Sequence, residues 1–268
     1  MKSKIFVNTK TVYASYCYDE TPPASLDTRH CHDTYEVLYI VSGSGEYIVE
    51  GTTYEIKSGT VMLIRPFVYH SVRLDLTKPY ERYVINFSTV GLVSDAVAML
   101  ERTLNDEDGA GGRYFCPGAL SPDTLNIFER FENAVSMQLA NRGTYGKTLL
   151  SELIVLLSIS SGERMHQDDE ELGARVIRYL NLNIEKNITL DKLAKVFFVS
   201  KYYLCRAFKK HNGISVHGYI NQKRVMYAKQ LIEAGEPASV AAYRVGFGDY
   251  SSFYRAYVKY VGTSPTGL

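Results

Sequence analysis

Three residues near the start of the chain have types and a spacing that suit metal binding. His30 and His32 stand on alternate positions of the stretch RHCHDTYE, and Glu36 follows four residues after His32. Imidazole nitrogens and a carboxylate oxygen suit zinc, nickel, iron or manganese, so the three side chains could converge on one ion. They could equally hydrogen-bond a small polar molecule, or be satisfied by neighbouring backbone groups in a polar corner of a sheet. The stretch alone leaves these three interpretations open.

Short β-prone segments surround this stretch and must position it. From about residue 10 to 90, runs such as YEVLYIV, EYIVEG, TTYEI, TVMLI and ERYVINF are separated by glycine turns. Evenly spaced short strands with turn residues between them are typical of an antiparallel barrel or sandwich. We therefore predict a small N-terminal β-barrel over residues 1–90.

The apolar pattern becomes helical after residue 90. It predicts a helix near residues 92–100, a second over roughly 122–140 that begins at Pro122, and a third over roughly 145–161. The acidic, glycine-rich run NDEDGAGG, residues 105–112, predicts a break between the first two. Such helices must bury their apolar stripes on the barrel or on a second copy of the chain. We predict that residues 91–161 form a helical dimerisation region.

The formal net charge is only +1, but the charges are distributed unevenly along the chain, with an acidic first part and a basic second part. Residues 1–170 carry 15 Lys and Arg against 23 Asp and Glu, whereas residues 171–268 carry 15 against 6. We place a linker at residues 162–171, where the polar run SGERMHQDDEE marks the change of sign, and a second domain at residues 172–268. A basic domain of this size has the electrostatic character expected for a polyanion partner such as DNA.

Composition bounds the class of protein. A hydrophobic fraction of 46% with 22% charged residues is ordinary for a globular chain. The longest apolar stretch, LIVLLSIS, is far shorter than the roughly 20 residues of a membrane span, and the N-terminus has no signal-peptide pattern. Four cysteines without a CxxC pair predict free thiols in a reducing compartment. We expect a cytoplasmic protein without a membrane partner.

The basic domain contains two similar pairs of helices. In the first pair, Thr189 and Ser200 stand where helix caps are expected, and in the second pair Pro237 opens a helix and Asp249 or Ser251 caps the next. A connecting helix is predicted over residues 214–235. The side chains predicted to face inward are Leu190, Leu193, Ala194, Phe197, Leu204 and Phe208 in the first pair, and Val240, Ala241, Val245, Phe253 and Tyr257 in the second. A capped helix with a basic outer face is the element that fits the major groove.

Two stretches of this domain resemble a known family. VAAYRVGFGDYSSFYRAYVKYVGTSP is similar to the signature of the bacterial AraC/XylS transcription regulators, and ITLDKLAKVFFVSKYYLCRAFKKHNGIS resembles the first helix-turn-helix of that family. One departure is Val258, which stands where a lysine is usual, with Lys259 beside it. The resemblance implies a sequence-specific regulator, not an enzyme, that binds double-stranded DNA, and the helices predicted at residues 91–161 would make it a homodimer. It also implies contact with RNA polymerase and, by association, activation of carbohydrate-use genes.

The same resemblance assigns residues to the DNA interface. Arg206 and Arg255 are expected to contact either guanine edges or phosphates, and the lysines are expected to neutralise phosphates. The full predicted set is Lys201, Tyr202, Cys205, Arg206, Lys209 and Lys210 in the first recognition helix, and Tyr250, Ser251, Tyr254, Arg255 and Lys259 in the second.

The opening histidines belong to a second resemblance. His30, His32, Glu36, Gly43, Gly59, Pro66 and His70 resemble the two motifs of the cupin barrel, although FVYH follows Pro66 where metal-dependent cupins have P-x-G-x-x-H. The resemblance implies an effector site at His30, His32, Glu36 and His70 for a small polar molecule such as a carbohydrate. The alternatives are a divalent metal (Zn, Ni, Fe or Mn) on the same four residues, although none is required, or no ligand. A metal-dependent cupin enzyme and a metal-responsive regulator are the rival functions.

These inferences combine into one predicted architecture. We predict an α+β protein with two domains. The first is an N-terminal cupin-like antiparallel β-barrel with accessory helices, and the second is a C-terminal all-α double helix-turn-helix.

Overall fold

A computed structural model of the protein describes residues 2–23, 28–104, 111–160, 162–164 and 171–266. The described residues divide into two compact units, one up to residue 164 and one from residue 171. The two-domain α+β fold is confirmed, with an antiparallel β domain followed by a helical one. The predicted linker lies largely outside the described residues.

The described part of the first unit contains ten strands. Their bounds are β1 (Lys2–Asn8), β2 (Val12–Asp19), β3 (Tyr35–Ser42), β4 (Ser44–Val49), β5 (Thr52–Lys57), β6 (Val61–Ile64), β7 (His70–Leu74), β8 (Tyr80–Phe87), β9 (Gly112–Phe115) and β10 (Glu163–Arg164). The strands form a seven-stranded sheet in the order β1-β2-β8-β3-β6-β9-β10 and a three-stranded sheet in the order β5-β4-β7, with antiparallel pairing throughout.

One face of the larger sheet packs on the smaller sheet. Ile40 on β3 and Met62 on β6 share a buried cluster with Tyr47, Ile56 and Val72 of the smaller sheet. The interior between the two sheets is therefore mainly apolar, and Glu36 of β3 and His70 of β7 are buried polar residues of these sheets.

The other face of the larger sheet is covered by helices α1 (Ser94–Leu104), α2 (Pro122–Arg130) and α3 (Leu139–Ile159). Val37, Leu63 and Ile85 of the sheet share a second buried cluster with Leu100 of α1 and Leu153 of α3. Since both faces of the sheet are covered, all four positions of β6 are buried. The region predicted at residues 91–161 thus packs on the sheet of its own chain, and its role in dimerisation stays a prediction.

The predicted helix over residues 122–140 is wrong in its second half. Helix α2 ends at Arg130, a 3₁₀ turn covers Phe131–Ser136, and α3 begins at Leu139, earlier than predicted. Met137 and Gln138 have extended backbones that interrupt the helix. The Arg142 side chain holds this corner by donating to the carbonyl oxygens of Met137 (3.1 Å) and Val135 (2.7 Å).

The second unit contains six helices among its described residues. The predicted caps Thr189 and Ser200 accept hydrogen bonds from the backbone N–H groups of Lys192 and Tyr203. Asp249, rather than Ser251, caps the last helix. The helices are α4 (Leu172–Leu182), α5 (Leu190–Val196), α6 (Lys201–Asn212), α7 (Val216–Glu233), α8 (Ala238–Arg244) and α9 (Tyr250–Val261).

Two of the side chains predicted to face inward do not. Leu190 is 38% exposed and Val240 is 51% exposed. Leu193, Ala241 and Val245 are fully buried as predicted. Leu190 is the first residue of α5, and Val240 precedes the buried Ala241 on α8, so each lies at the margin of its helix's buried side.

Candidate effector site and nucleic-acid interface

The loop before β3 and the start of β7 bring the predicted effector residues together. The backbones of His30 and His70 exchange two hydrogen bonds of 2.9 Å, which hold the loop against β7. The centroid of the His70 ring consequently lies 4.4 Å from that of His30 and 5.0 Å from that of His32. Glu36, the second residue of β3, completes a group that we call the histidine cluster: His30, His32, Glu36 and His70.

Glu36 is the charged centre of the histidine cluster. Its Oε1 accepts a hydrogen bond from the Tyr47 hydroxyl (3.0 Å), and its Oε2 accepts from His32 Nε2 (3.0 Å) and Asn86 Nδ2 (3.1 Å). Burial would raise the pKa of Glu36, but the hydrogen bonds from His32 and Asn86 and the nearby imidazoles lower it to about 2. The side chain is therefore a buried carboxylate at neutral pH.

The three imidazoles share one hydrogen-bonding pattern at Nδ1. Each Nδ1 lies 2.8–2.9 Å from a backbone carbonyl oxygen, that of Thr28, Thr34 or Val68. A carbonyl only accepts, so Nδ1 carries a proton in every ring, and a neutral ring keeps its lone pair on Nε2. At His32 the Nε2 atom also faces an acceptor, the Glu36 carboxylate. Burial lowers the pKa of His32, but the hydrogen bond and charge of Glu36 outweigh burial and raise it overall.

His70 presents an unused acceptor. Its Nε2 is buried and has no hydrogen-bond partner among the described residues. Burial lowers the pKa of His70 to about 4, so the ring is neutral at neutral pH. One ligand atom from each of His32, Glu36 and His70 lies within 4.8 Å of the others. The structure thus brings together the residues singled out in the sequence, and adds Tyr47 and Asn86, which sequence reasoning missed.

We expect the first unit to lose stability as the pH falls below about 6.5. Because the pKa of folded His70 is lowered from 6.5 to about 4, the unfolded chain takes up a proton first, and stability falls between those values. Glu36, whose pKa is lowered from its ordinary 4.5 to about 2, adds a further loss of stability as the pH falls between those two values. His32, with a raised pKa, acts in the opposite sense, since its contribution is present below 6.5 and lost as the pH rises.

Thermal melts of chelator-treated protein between about pH 7.5 and 4 measure this loss of stability, which we expect to be on the order of 3 kcal/mol for His70. The variant His70→Gln, whose side chain does not titrate, should decline less over the same range. An equal decline in both proteins would contradict the assignment of a buried neutral imidazole.

Helix α6 separates a buried side from a basic side. Leu204 and Phe208 are fully buried, whereas Tyr202 is 77% exposed and Arg206 is exposed. Lys201, at the first turn, forms an ion pair of 2.9 Å with Asp191 of α5. The remaining predicted contacts of this helix are exposed at Lys209 and Lys210 and half-buried at Cys205.

Helix α9 repeats the arrangement. Phe253 and Tyr257 are fully buried, and Tyr254 is 42% exposed. Arg255 is exposed, with one guanidinium nitrogen 3.5 Å from the Ser252 hydroxyl. Ser251 and Lys259 are also exposed, whereas Tyr250 is half-buried with its ring 5.6 Å from that of Phe253. Nine of the eleven predicted DNA contacts are thus exposed, and the exceptions are Cys205 and Tyr250.

A sheet domain with a polar internal cluster, followed by two capped helices with basic outer sides, is the organisation expected of a DNA-binding regulator with a ligand-binding domain. Residues 12–92 match the AraC-like ligand binding domain and residues 193–268 match a helix-turn-helix domain. Together the two matches cover more than half of the chain, which belongs to the AraC family of transcription regulators.

Relatives over most of the chain agree with this assignment. The HTH-type transcriptional activator RhaS of Enterobacter sp. (strain 638) is 26% identical over 256 residues, covering 91% of this chain and 87% of the relative. The uncharacterized HTH-type transcriptional regulator YbfI of Bacillus subtilis is 25% identical over 83% of this chain and 80% of the relative. Among solved structures, this chain is similar to unsaturated fatty acid bound ToxT from Vibrio cholerae over 97% of this chain and 95% of that one, but the 14% identity and the TM-score of 0.39 give the assignment no support.

The chain is accordingly a DNA-binding transcription regulator and not a metal-dependent cupin enzyme. None of the helices in the described part of the chain combines the length and hydropathy needed to cross a membrane.

Proposed function

We propose that this regulator is a sequence-specific activator that reads DNA with α6 and α9 and is controlled by a small polar effector at the histidine cluster. The proposal that α6 and α9 read DNA depends on one observation. Each helix buries its apolar side, through Phe208 or Phe253, and leaves its basic and polar side exposed. A helix of this kind fits the major groove, with its outer side chains on base edges and phosphates.

The exposed side chains divide by chemistry. Arg206 and Arg255 have paired donors that match O6 and N7 of guanine, whereas Lys209 and Lys259 act as point charges on phosphates. Tyr202, Tyr254 and Cys205 offer apolar contact to thymine methyl groups. Competition between labelled and unlabelled duplexes tests sequence specificity. We expect one duplex to compete far better than its shuffled version, and equal competition would reject the proposal.

The effector part rests on His70. A buried, neutral imidazole with an unused Nε2 acceptor suits a ligand whose hydroxyl group donates a hydrogen bond to that nitrogen. Carbohydrates carry several such hydroxyl groups. His30 is exposed and His32 is partly exposed, so they lie on the open side of the histidine cluster. Binding there would shift the populations of conformations that differ in DNA affinity.

We expect one member of a sugar panel to raise the melting temperature of the protein. A ligand present at about 100 times its Kd stabilises by about 2.7 kcal/mol, which a thermal-shift assay detects readily. The variant His70→Ala should lose the shift, while His217→Ala, which removes an exposed histidine of α7, should keep it. A shift that survives in His70→Ala would place the effector elsewhere.

A divalent metal is the second candidate, because the three Nδ1–H groups are all held by backbone carbonyls, as in metal-binding histidines. His32, Glu36 and His70 would hold the ion, which would supply positive charge in place of the proton on His32. Elemental analysis of the purified protein, compared with Glu36→Gln, separates the two candidates. About one equivalent of metal in the native protein alone favours a metal-responsive regulator.

We also propose a homodimer built by the helices of the first unit. Helix α3 is apolar on more than one side. Leu153 and Ile154 are buried, Val155 and Leu156 are half-buried, and Ile159 is 68% exposed. A dimer would bind paired DNA sites, and an activator would also contact RNA polymerase. Sedimentation at micromolar concentration tests this, and a monomer both with and without DNA would contradict it.

A further inference from the structure

One arginine joins the two halves of the DNA-binding unit. Arg224 lies near the middle of α7, and its guanidinium donates three hydrogen bonds to backbone carbonyl oxygens. Nε donates to Ile184 (2.9 Å), Nη2 to Lys186 (2.7 Å) and Nη1 to Gly246 (2.7 Å). All three nitrogens of one side chain are therefore used on main-chain acceptors.

These acceptors belong to different halves of the unit. Ile184 and Lys186 lie between α4 and α5, before the first helix-turn-helix, whereas Gly246 lies in the turn between α8 and α9 of the second. A separate tether holds α7 to the first half only, because the Tyr219 hydroxyl donates to Asn181 of α4 (2.8 Å). Arg224 is thus a side chain that connects the approach to one recognition helix with the turn before the other.

The turn before α9 is shaped around this guanidinium. Gly246 has a φ of 94°, and a Cβ placed there would lie 2.8 Å from Arg224 Cζ, from Nη2 and from the Glu185 carbonyl oxygen. The turn before α6 has Phe198 in a similar left-handed conformation, with a φ of 55° and a side chain that is 94% exposed. A side chain is therefore accommodated in one turn but not in the other, where Arg224 approaches the backbone.

We infer that Arg224 is a positioning residue that fixes the distance and rotation between α6 and α9, and thereby sets the spacing of the two DNA subsites that the chain accepts. This inference rests on the proposed function, in which both helices enter the major groove. Inserting one base pair moves a subsite by about 3.4 Å and rotates it by about 35°. A rigid pair of helices accepts one spacing, whereas a loosened pair accepts several.

The planar fork of the guanidinium is the feature on which this role depends. A lysine keeps the positive charge, but a single ammonium at the end of a flexible stem does not reproduce three divergent N–H donors. Arg224→Lys therefore removes the connection with little change in charge. Arg244→Lys is the matched control, because Arg244 lies on α8 and forms an exposed ion pair with Glu236 (2.8 Å).

The test uses the full-length protein and a duplex carrying both subsites, with one base pair inserted or deleted between them. We expect the native protein and Arg244→Lys to bind the altered spacings at least about 10-fold more weakly than the preferred one. For Arg224→Lys, this preference should fall to about 3-fold or less. Its affinity for a duplex with a single subsite should stay within about 2-fold of the native value.

A folded Arg224→Lys protein that keeps the 10-fold preference overturns the inference. If that variant does not fold by circular dichroism, Gly246→Ala, which crowds the guanidinium from the opposite side, takes its place with the same expected and contrary results. Should both variants fail to fold, the inference is likewise rejected, since Arg224 would then hold the fold and not the spacing. A native protein that binds no duplex by sequence would instead reject the proposed function.

Discussion

Phe253→Ala should destabilise the second unit by about 3–5 kcal/mol, whereas Tyr254→Ala beside it should change the free energy of unfolding by less than about 0.5 kcal/mol. The Phe253 side chain is fully buried, with its ring centroid 5.4 Å from those of Phe247 and Tyr257. Tyr254, the next residue of α9, points about 100° away from Phe253 and is 42% exposed. A loss of this size approaches the whole stability of a small domain.

Urea unfolding followed by the helical circular dichroism signal measures both variants. Tyr254→Ala serves as the control for Phe253→Ala, because it shortens an aromatic side chain of the same helix without opening a cavity. We expect Tyr254→Ala to weaken DNA binding while leaving the unfolding midpoint unchanged. Comparable destabilisation by the two changes would mean that the sides of α9 have been assigned wrongly.

Arg206→Ala and Arg255→Ala should each weaken binding to the preferred duplex by about 1–3 kcal/mol, or roughly 5- to 150-fold. The loss should be confined to duplexes that carry the preferred base at one position, because a paired donor group discriminates against the other bases. Equilibrium titrations against duplexes that differ at single positions measure this effect.

Arg244 lies on α8 and is not one of the predicted DNA contacts. Arg244→Ala should therefore bind within about 2-fold of the native protein, since a surface charge that makes no DNA contact contributes little at physiological salt. Uniform weakening of every duplex by an arginine variant would show a phosphate contact at that residue, and would contradict its assignment to base reading.

The strands around the effector site could be predicted because their pattern is local. YEVLYIV, TVMLI and ERYVINF became β3, β6 and β8. Strand β9 was missed because its Gly112 belongs to a run that predicted a break, of which residues 105–110 lie outside the described part. A Cβ at Gly112 would lie 2.0 Å from the Leu63 carbonyl oxygen, so glycine is there to admit the neighbouring strand.

The errors in the second unit follow from helix geometry. Val240 and Ala241 were both predicted to face inward, but adjacent residues of an α-helix differ by about 100° in direction. Only Ala241 is buried. Leu190 has the spacing of an inward residue, yet it is the first residue of α5 and remains 38% exposed.

Contacts between residues far apart in the sequence limited how much of the effector site and of the DNA-binding unit could be predicted. The histidine motif could be recognised from spacing, but Tyr47 and Asn86 contact Glu36 only because β4 and β8 pack and pair around it. Arg224 had no sequence signal at all, since its partners are backbone carbonyls 40, 38 and 22 residues away. Every residue has a backbone carbonyl, so a hydrogen bond to one requires no particular residue type in the sequence.

Selection of bound duplexes from a random DNA pool tests the central claim most directly, namely that α6 and α9 both read base edges. The native protein should enrich two short segments whose centres are about 10–10.5 base pairs apart, one helical turn of DNA. Arg206→Ala should lose preference within one segment and Arg255→Ala within the other. A selected pool with no enriched sequence, or with both segments intact in both variants, would contradict the account.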